Sequence, residues 1–255
     1  MGNIRSMKKI TYIIVLISLF SFLLVLPAVA QERVHVAVAA NFILPFQEIA
    51  ALFQKKTGIQ VEATYSSSGQ FYAQIVRGGP YDLFLSADEE RPALLHQEGR
   101  AETPFVYATG RVVLWSLRKE LCGAAVWRKV INMPGIRKVA IANPKTAPYG
   151  AAAQTALEKA GLEAGIRSRL VYAQNIAQAF QYISTGSVDT GFCALSSALS
   201  EEGRKGCTHV VDEAPPIVQS ACLLKRSADK SGPRALSRFL LAPEVQAIKE
   251  KYGYQ

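Results

Sequence analysis

Apolar and amphipathic segments alternate along the chain from residue 34 onward. The run 34–40 is apolar enough for a buried strand, and apolar residues at helical spacing from Phe46 predict a helix over 46–56 that stops at Gly58. The same pattern predicts further strands at 60–65, 82–87, 111–117, 138–143, 169–174, 190–195 and 217–225. It predicts further helices ending at 77 and spanning 150–160, 177–185, 233–241 and 243–252. Strands that alternate with helices predict an α/β fold of parallel βαβ units with helices on both faces.

The order of these elements predicts two lobes. The chain has two similar β/α cycles and passes between them twice, near 109–113 and near 214–218. Two crossings predict a hinge, with the functional site in the cleft between the lobes. We therefore predict a first lobe of residues 31–110 plus 217–255 and a second lobe of residues 111–216, each a mainly parallel sheet flanked by helices.

The first 30 residues have the pattern of a secretory signal peptide. Arg5, Lys8 and Lys9 precede an uncharged apolar run over 10–26, and Ala-Val-Ala follows at 28–30. That run is slightly short for a membrane span of about 20 residues, and no later stretch is longer. We therefore predict cleavage after Ala30 and a soluble mature chain in the periplasm, where disulfides can persist.

Charge and cysteine content exclude several classes of protein. The formal net charge is +9, and without residues 1–30 it is +6, from 26 Lys and Arg against 20 Asp and Glu. The basic residues are scattered and form no stripe, so we predict no nucleic-acid partner. Four cysteines allow three full pairings, between which the sequence does not choose, and their spacing does not match a zinc site. These are Cys122, Cys193, Cys207 and Cys222.

Four loops share one design, because each leaves a predicted strand and opens a helix. They span 39–42, 66–69, 147–150 and 174–177. Ligands of α/β sheets bind outside the carboxyl ends of the strands, where the first N–H groups of each helix lack an intrahelical partner. None of these loops contains His, Cys, Arg or a carboxylate, so they do not suit acid–base, nucleophilic or metal-ion chemistry. They suit a small deprotonated oxyanion, and we predict a binding protein with no catalytic residue, no bound metal ion and no cofactor.

Several segments in a fixed order carry a family resemblance. They are Val36–Phe42, Ser66–Ser68, Gly79–Asp88, Asn143–Pro144, Ala147–Gly150, Gly191–Phe192 and Tyr252–Gly253. Together they cover nearly the whole chain after residue 30, and the run D-L-F-L-S-A-D behind a triple serine is the most specific part. The chain resembles the periplasmic molybdate-binding proteins of ABC importers, which have the two-lobed type II solute-binding fold.

The resemblance implies a set of ligand contacts, made mainly by main-chain N–H groups. The implied contacts are Asn41 with the Ala40 amide beside it, the Ser68 hydroxyl and amide, the Tyr149 amide and the Ile176 amide. Many members add a tyrosine hydroxyl at the position where this chain has Ala194. This departure leaves open whether another side-chain donor, such as that of Asn41, takes its place.

The resemblance also implies a function. A monomer would capture molybdate, and tungstate too, and deliver it to a membrane ABC permease, with molybdenum held only as the oxyanion. The residues leave one alternative open, which is another tetrahedral oxyanion such as sulfate, because cavity size is not visible in a sequence. Asp82 and Asp88 flank the signature strand and are expected to position loops, since a carboxylate repels a dianion.

Overall fold

Two five-stranded sheets with helices packed on them make up residues Glu32–Gln255, the part of the chain that the computed structural model describes. The predicted signal peptide and its cleavage site lie outside the described residues. The strands are β1 (Arg33–Ala39), β2 (Gln60–Ser66), β3 (Leu83–Leu85), β4 (Phe105–Gly110), β5 (Val112–Ser116), β6 (Val139–Ala142), β7 (Leu170–Ala173), β8 (Thr190–Ala194), β9 (Cys207–Val210) and β10 (Ile217–Leu223). The α/β fold predicted from the sequence is confirmed.

The helices fill the connections between the strands. They are α1 (Ile43–Thr57), α2 (Ser68–Val76), α3 (Glu90–Gln97), α4 (Trp127–Ile131), α5 (Pro148–Lys159), α6 (Glu163–Ile166), α7 (Ile176–Ser184), α8 (Leu195–Ala198), α9 (Ser231–Phe239) and α10 (Pro243–Lys251). A short 3₁₀ turn, Ala40–Phe42, joins β1 to α1. Within the described range, no helix is long and apolar enough to cross a membrane.

The two sheets have the same topology. The first sheet has the order β2-β1-β3-β10-β4 and the second has the order β7-β6-β8-β5-β9. In each sheet three strands run parallel, and the last two pair antiparallel to their neighbours. The chain passes from the first sheet to the second between Gly110 and Val112 and returns between Val210 and Ile217. The carboxyl ends of the parallel strands therefore carry loops of equivalent position in the two sheets.

Local sequence explains where the first helix begins and ends. Helix α1 begins at Ile43, three residues earlier than predicted, because Pro45 lies in the first turn, where proline is tolerated. It ends before Gly58, whose φ of 73° is the left-handed cap conformation that glycine adopts without strain. Its apolar residues Phe46, Ile49 and Phe53 are buried against the first sheet.

Two strands and four helices were missed from the sequence, namely β4, β9, α3, α4, α6 and α8. Strand β4 is half exposed and β9 alternates buried and exposed residues, so neither shows a continuous apolar run. Helix α3 is mostly polar, with Pro92 and Leu95 as its buried residues. The strand predicted over 111–117 is correspondingly shorter, because the chain turns at Arg111 between β4 and β5.

One disulfide joins β9 to the loop that follows β5. It links Cys122 with Cys207, 85 residues apart, so none of the three full pairings that the sequence allows is formed. Cys193 in β8 and Cys222 in β10 are free and buried. Burial raises the pKa of both thiols, so they stay protonated at neutral pH.

Candidate functional site

The four loops singled out in the sequence meet at one small cavity. All five predicted contact residues line it, and so do neighbours that were not singled out as contacts. The lining residues are Ala39, Ala40, Asn41, Ser66, Ser67, Ser68, Ala87, Ala147, Pro148, Tyr149, Asn175 and Ile176. Ala194, where many relatives of the implied family carry tyrosine, is buried at the end of β8 and is not among them.

Three helices begin at the cavity, and two of them lack a side-chain cap. Helix α2 follows Ser67 and helix α5 follows Ala147, and neither residue makes a capping hydrogen bond. Helix α7 is capped, because the Asn175 side chain accepts a hydrogen bond of 3.0 Å from the Gln178 N–H. Pro148 has no N–H, and the Gly69 N–H is engaged by the Thr146 carbonyl. The Ser68 N–H of α2 and the Tyr149 N–H of α5 have no carbonyl one turn earlier in their helices, so they are available to a ligand. The helix dipoles add a positive potential at the cavity.

The triple serine provides three hydroxyls with different partners. Ser66 Oγ hydrogen-bonds to the side chain of Gln70. Ser68 is fully buried, and its Oγ accepts a hydrogen bond of 2.9 Å from the Ala87 N–H, which leaves its own proton free to donate. Ser67 Oγ is buried and has no hydrogen-bond partner. The sequence had pointed only to Ser68.

Both the side chain and the main-chain carbonyl of Asn41 form hydrogen bonds to other residues of the protein. Its Nδ2 donates to Gln219 Oε1 at 2.8 Å and to the Tyr254 hydroxyl at 3.1 Å. Its main-chain carbonyl accepts from Tyr254 and from Ser196, at 2.7 and 2.8 Å. Both side-chain N–H groups are therefore engaged within the protein. This differs from the possibility raised by the sequence, that the Asn41 side chain replaces the donor missing at Ala194.

Gln219 links the Asn41 loop to the Tyr149 loop and was missed from the sequence. It is fully buried in β10, and its Oε1 also accepts a hydrogen bond from the Tyr107 hydroxyl at 3.0 Å. Its Nε2 donates to the Tyr149 hydroxyl at 3.3 Å. A glutamine inside the apolar strand I-V-Q-S-A-C-L was the signal that could have revealed it, because a buried amide requires partners.

Gly110 makes room for this network. A Cβ placed there would lie 2.1 Å from the Tyr149 hydroxyl and 2.7 Å from Gln219 Nε2. Any other residue would displace both side chains. From the sequence alone, Gly110 is predicted only to bound a strand.

Main-chain contact also joins the loops of the two sheets. The Gly69 N–H, in the first turn of α2, donates to the Thr146 carbonyl at 2.9 Å. A Cβ on Gly69 would lie 3.0 Å from that oxygen and from the Thr146 Cα. Arg91 pairs with Asp88 and reaches the Lys145 carbonyl at 3.5 Å. Together these contacts hold the loops of both sheets around the cavity.

The cavity is lined by neutral groups. None of its lining residues carries a charged side chain at neutral pH, and burial raises the pKa of the Tyr149 hydroxyl further above its ordinary value. Asp88 hydrogen-bonds to Ser86 and to the Arg91 N–H at 3.0 Å, and Asp82 is buried among Ser227, Lys230 and the His35 N–H. Both aspartates thus position loops, as the sequence predicted. The site offers hydrogen-bond donors without formal charge.

Two sheets of the same topology, with a small cavity lined by hydrogen-bond donors where their loops meet, are the arrangement of a solute-binding protein. A family model described as bacterial extracellular solute-binding protein matches residues 34–255. The chain belongs to this family.

Named relatives within this class bind one particular oxyanion. The chain is 42% identical to the molybdate-binding protein ModA of Rhodobacter capsulatus over 91% of each chain. It is 39% identical to the molybdate-binding protein ModA of Azotobacter vinelandii, over 89% of this chain and 91% of that one. The solved structure of the periplasmic molybdate-binding protein of Azotobacter vinelandii superimposes with a TM-score of 0.81, at 34% identity, over 87% of this chain and 98% of that one.

Proposed function

We propose that this chain captures molybdate, and tungstate in the same site, in the periplasm and delivers it to a membrane ABC permease. The observation that carries the proposal is the neutral cavity, in which uncapped helix N-termini and buried hydroxyls meet. The names of the relatives, which share about two fifths of their residues with this chain, select molybdate among the oxyanions.

The proposed donors supply enough free energy for tight binding. A hydrogen bond from a neutral donor to an oxyanion contributes about 1.5–3 kcal/mol net. Micromolar to nanomolar affinity corresponds to roughly 8–12 kcal/mol. We assign the donors to the main chain of Ala40, Asn41, Tyr149 and Ile176 and to both the amide and the hydroxyl of Ser68.

The donor set also bears on which anion is held. Phosphate keeps a proton at neutral pH and therefore needs an acceptor in its site, whereas molybdate and tungstate are fully deprotonated. The cavity lining contains no carboxylate to accept such a proton. An oxyanion without a proton, such as molybdate or tungstate, needs only hydrogen-bond donors in its site. A carboxylate would repel it.

We further propose that binding couples to closure of two lobes. The lobes are residues 31–110 plus 217–255 and residues 111–216, and the hinge is formed by the two connections between the sheets. The contacts of Gly69 with Thr146 and of Gln219 with Tyr149 would form on closure. We propose that the signal peptide is cleaved after Ala30, and that the mature chain acts as a monomer that binds its ligand without converting it.

Isothermal titration calorimetry of the mature chain tests the proposal. Sodium molybdate and sodium tungstate should each bind at one ion per chain with micromolar or tighter affinity. Sulfate and phosphate, added first in large excess, should not prevent molybdate binding. Absence of heat with molybdate and tungstate would overturn the proposal, and displacement by equimolar sulfate would identify the protein as a sulfate binder.

A further inference from the structure

Ser67 has an unusual hydrogen-bonding state for a buried residue. Among residues 32–255, its Oγ and His209 Nε2 are the buried side-chain polar atoms without a hydrogen-bond partner. Ser67 is 3% exposed and lines the cavity, whereas His209 lies in β9 and is not among the lining residues. A partner missing at the cavity wall points to a group that the cavity receives.

The neighbouring residues show that Ser67 has not simply lost a partner within the protein. The hydroxyls of Ser66 and Ser68, on either side of it, are both hydrogen-bonded. Ser67 precedes α2, where a serine hydroxyl commonly accepts a hydrogen bond from a first-turn N–H, but it makes no such bond. A buried hydroxyl without a partner destabilises the fold, so its retention requires a compensating contact.

We propose that Ser67 Oγ is a ligand donor in the same cavity, giving its proton to an oxygen of the bound oxyanion. The proposal rests on the oxyanion function proposed above and adds a second hydroxyl to that of Ser68. Both lie at the N-terminus of α2, a nine-residue helix without a side-chain cap. Ser67 would thus supply the side-chain donor that is missing at Ala194.

The proposal predicts a combination of effects that a structural serine would not show. In Ser67→Ala the unpaired hydroxyl is gone, so the melting temperature without ligand should stay the same or rise. The bound oxyanion loses a charge-assisted hydrogen bond, so molybdate affinity should fall about tenfold or more.

Ser116 provides a matched control with the opposite combination. It is a fully buried serine in β5, away from the cavity, and its Oγ donates to the Asp189 carbonyl at 2.7 Å. Ser116→Ala should lower the melting temperature and leave the molybdate Kd unchanged.

The experiment compares wild type, Ser67→Ala and Ser116→Ala by molybdate calorimetry and by thermal unfolding without ligand. Weaker binding by Ser67→Ala with an undiminished melting temperature supports the proposal. Wild-type affinity in Ser67→Ala overturns it, and so does weaker binding accompanied by a fall in melting temperature like that of Ser116→Ala. If wild type itself binds neither molybdate, tungstate nor sulfate, the proposed function fails, and the role of Ser67 fails with it.

Discussion

The two sheets present equivalent loops to the cavity, but with different chemistry. Asn41 follows β1 and Tyr149 follows the equivalent strand β6, while Ser68 follows β2 and Ile176 follows β7. The first sheet brings hydroxyls to the cavity wall in addition to its main chain, through its triple serine. Among the proposed contacts, the second sheet offers main-chain N–H groups alone. The shared topology therefore places the donors at equivalent positions, and the side chains make the contribution of the first sheet chemically different from that of the second.

A carboxylate just before the middle strand of the sheet is common to both halves. Asp82 precedes β3 and accepts a hydrogen bond of 2.7 Å from the His35 N–H in β1. Asp189 precedes the equivalent strand β8 and accepts from the N–H groups of Arg137 and Lys138, just before β6, at 2.8 and 2.9 Å. Each carboxylate fastens the middle strand of its sheet to the neighbouring parallel strand. The two halves therefore share a structural device that no sequence repeat reveals.

The largest expected effect comes from placing a carboxylate on the first sheet's side of the cavity. Ser68→Asp buries a negative charge against a dianion, so molybdate affinity should fall about 100-fold or more. On the second side, Asn175→Asp keeps the helix cap and is only half buried, so its loss should be nearer tenfold. Calorimetry measures both losses, and circular dichroism checks the folds. Equal losses would contradict the proposed asymmetry of the two halves.

Removal of the disulfide in the second half should lower stability without weakening ligand binding. Replacing Cys122 and Cys207 together by serine should lower the free energy of unfolding by about 4 kcal/mol, because the bond closes a long loop. Neither cysteine lines the cavity, so the molybdate Kd should change less than about twofold, which is far less than the change expected for Ser68→Asp. Urea denaturation with and without molybdate measures both quantities. A large change in Kd would show that the disulfide shapes the site.

Removal of a single hydroxyl should be milder. Ser68→Ala should weaken molybdate binding by about 2 kcal/mol, because the ligand loses one charge-assisted hydrogen bond. On the second side, Ile176→Val keeps the main-chain N–H and should leave the Kd unchanged, with a stability loss of about 1 kcal/mol. A calorimetric series on both variants makes the comparison. A larger loss of affinity in Ile176→Val would reverse the roles assigned to the two sheets.

The smallest effects on ligand binding should come from the paired carboxylates Asp82 and Asp189, which do not line the cavity. Burial alone would raise the pKa of Asp82, but hydrogen bonds from Ser227, from the His35 N–H and from Lys230 lower it overall. Burial would likewise raise the pKa of Asp189, but hydrogen bonds from the Lys138 and Arg137 N–H groups and the nearby charge of Arg118 lower it overall. A lowered folded-state pKa stabilises the protein above the unfolded value near 3.8, and this stability is lost as the pH falls through the folded pKa.

Asp82→Asn should therefore destabilise the protein by about 2 kcal/mol at pH 7, and Asp189→Asn by about 1 kcal/mol. The Asp82 side chain is 2% exposed and that of Asp189 is 26% exposed, which explains the order. Urea denaturation at pH 7 and below pH 4 measures both. The difference from wild type should shrink at the lower pH, and a difference that stays constant would rule out these carboxylates as its source.

The site could be predicted from the sequence only as far as its loops. The uncharged segments around Asn41, Ser68, Tyr149 and Ile176 could be identified because each follows an apolar strand and opens a helix. The inward hydrogen bonds of Asn41, the role of Gln219 and the unpaired hydroxyl of Ser67 could not. Those features depend on partners more than 60 residues away, or on having no partner at all, and neither leaves a periodic signal.

By itself, the sequence determined the α/β class, most strand and helix positions, the stop of the first helix at Gly58 and the absence of charge in the four loops. Tertiary structure decided the common topology of the two sheets, the pairing of Cys122 with Cys207 and the meeting of the loops at one cavity. The physical reason is the distance along the sequence over which each interaction acts. Apolar periodicity and capping act over a few residues, whereas strand pairing and buried polar satisfaction join residues that only the folded chain brings together.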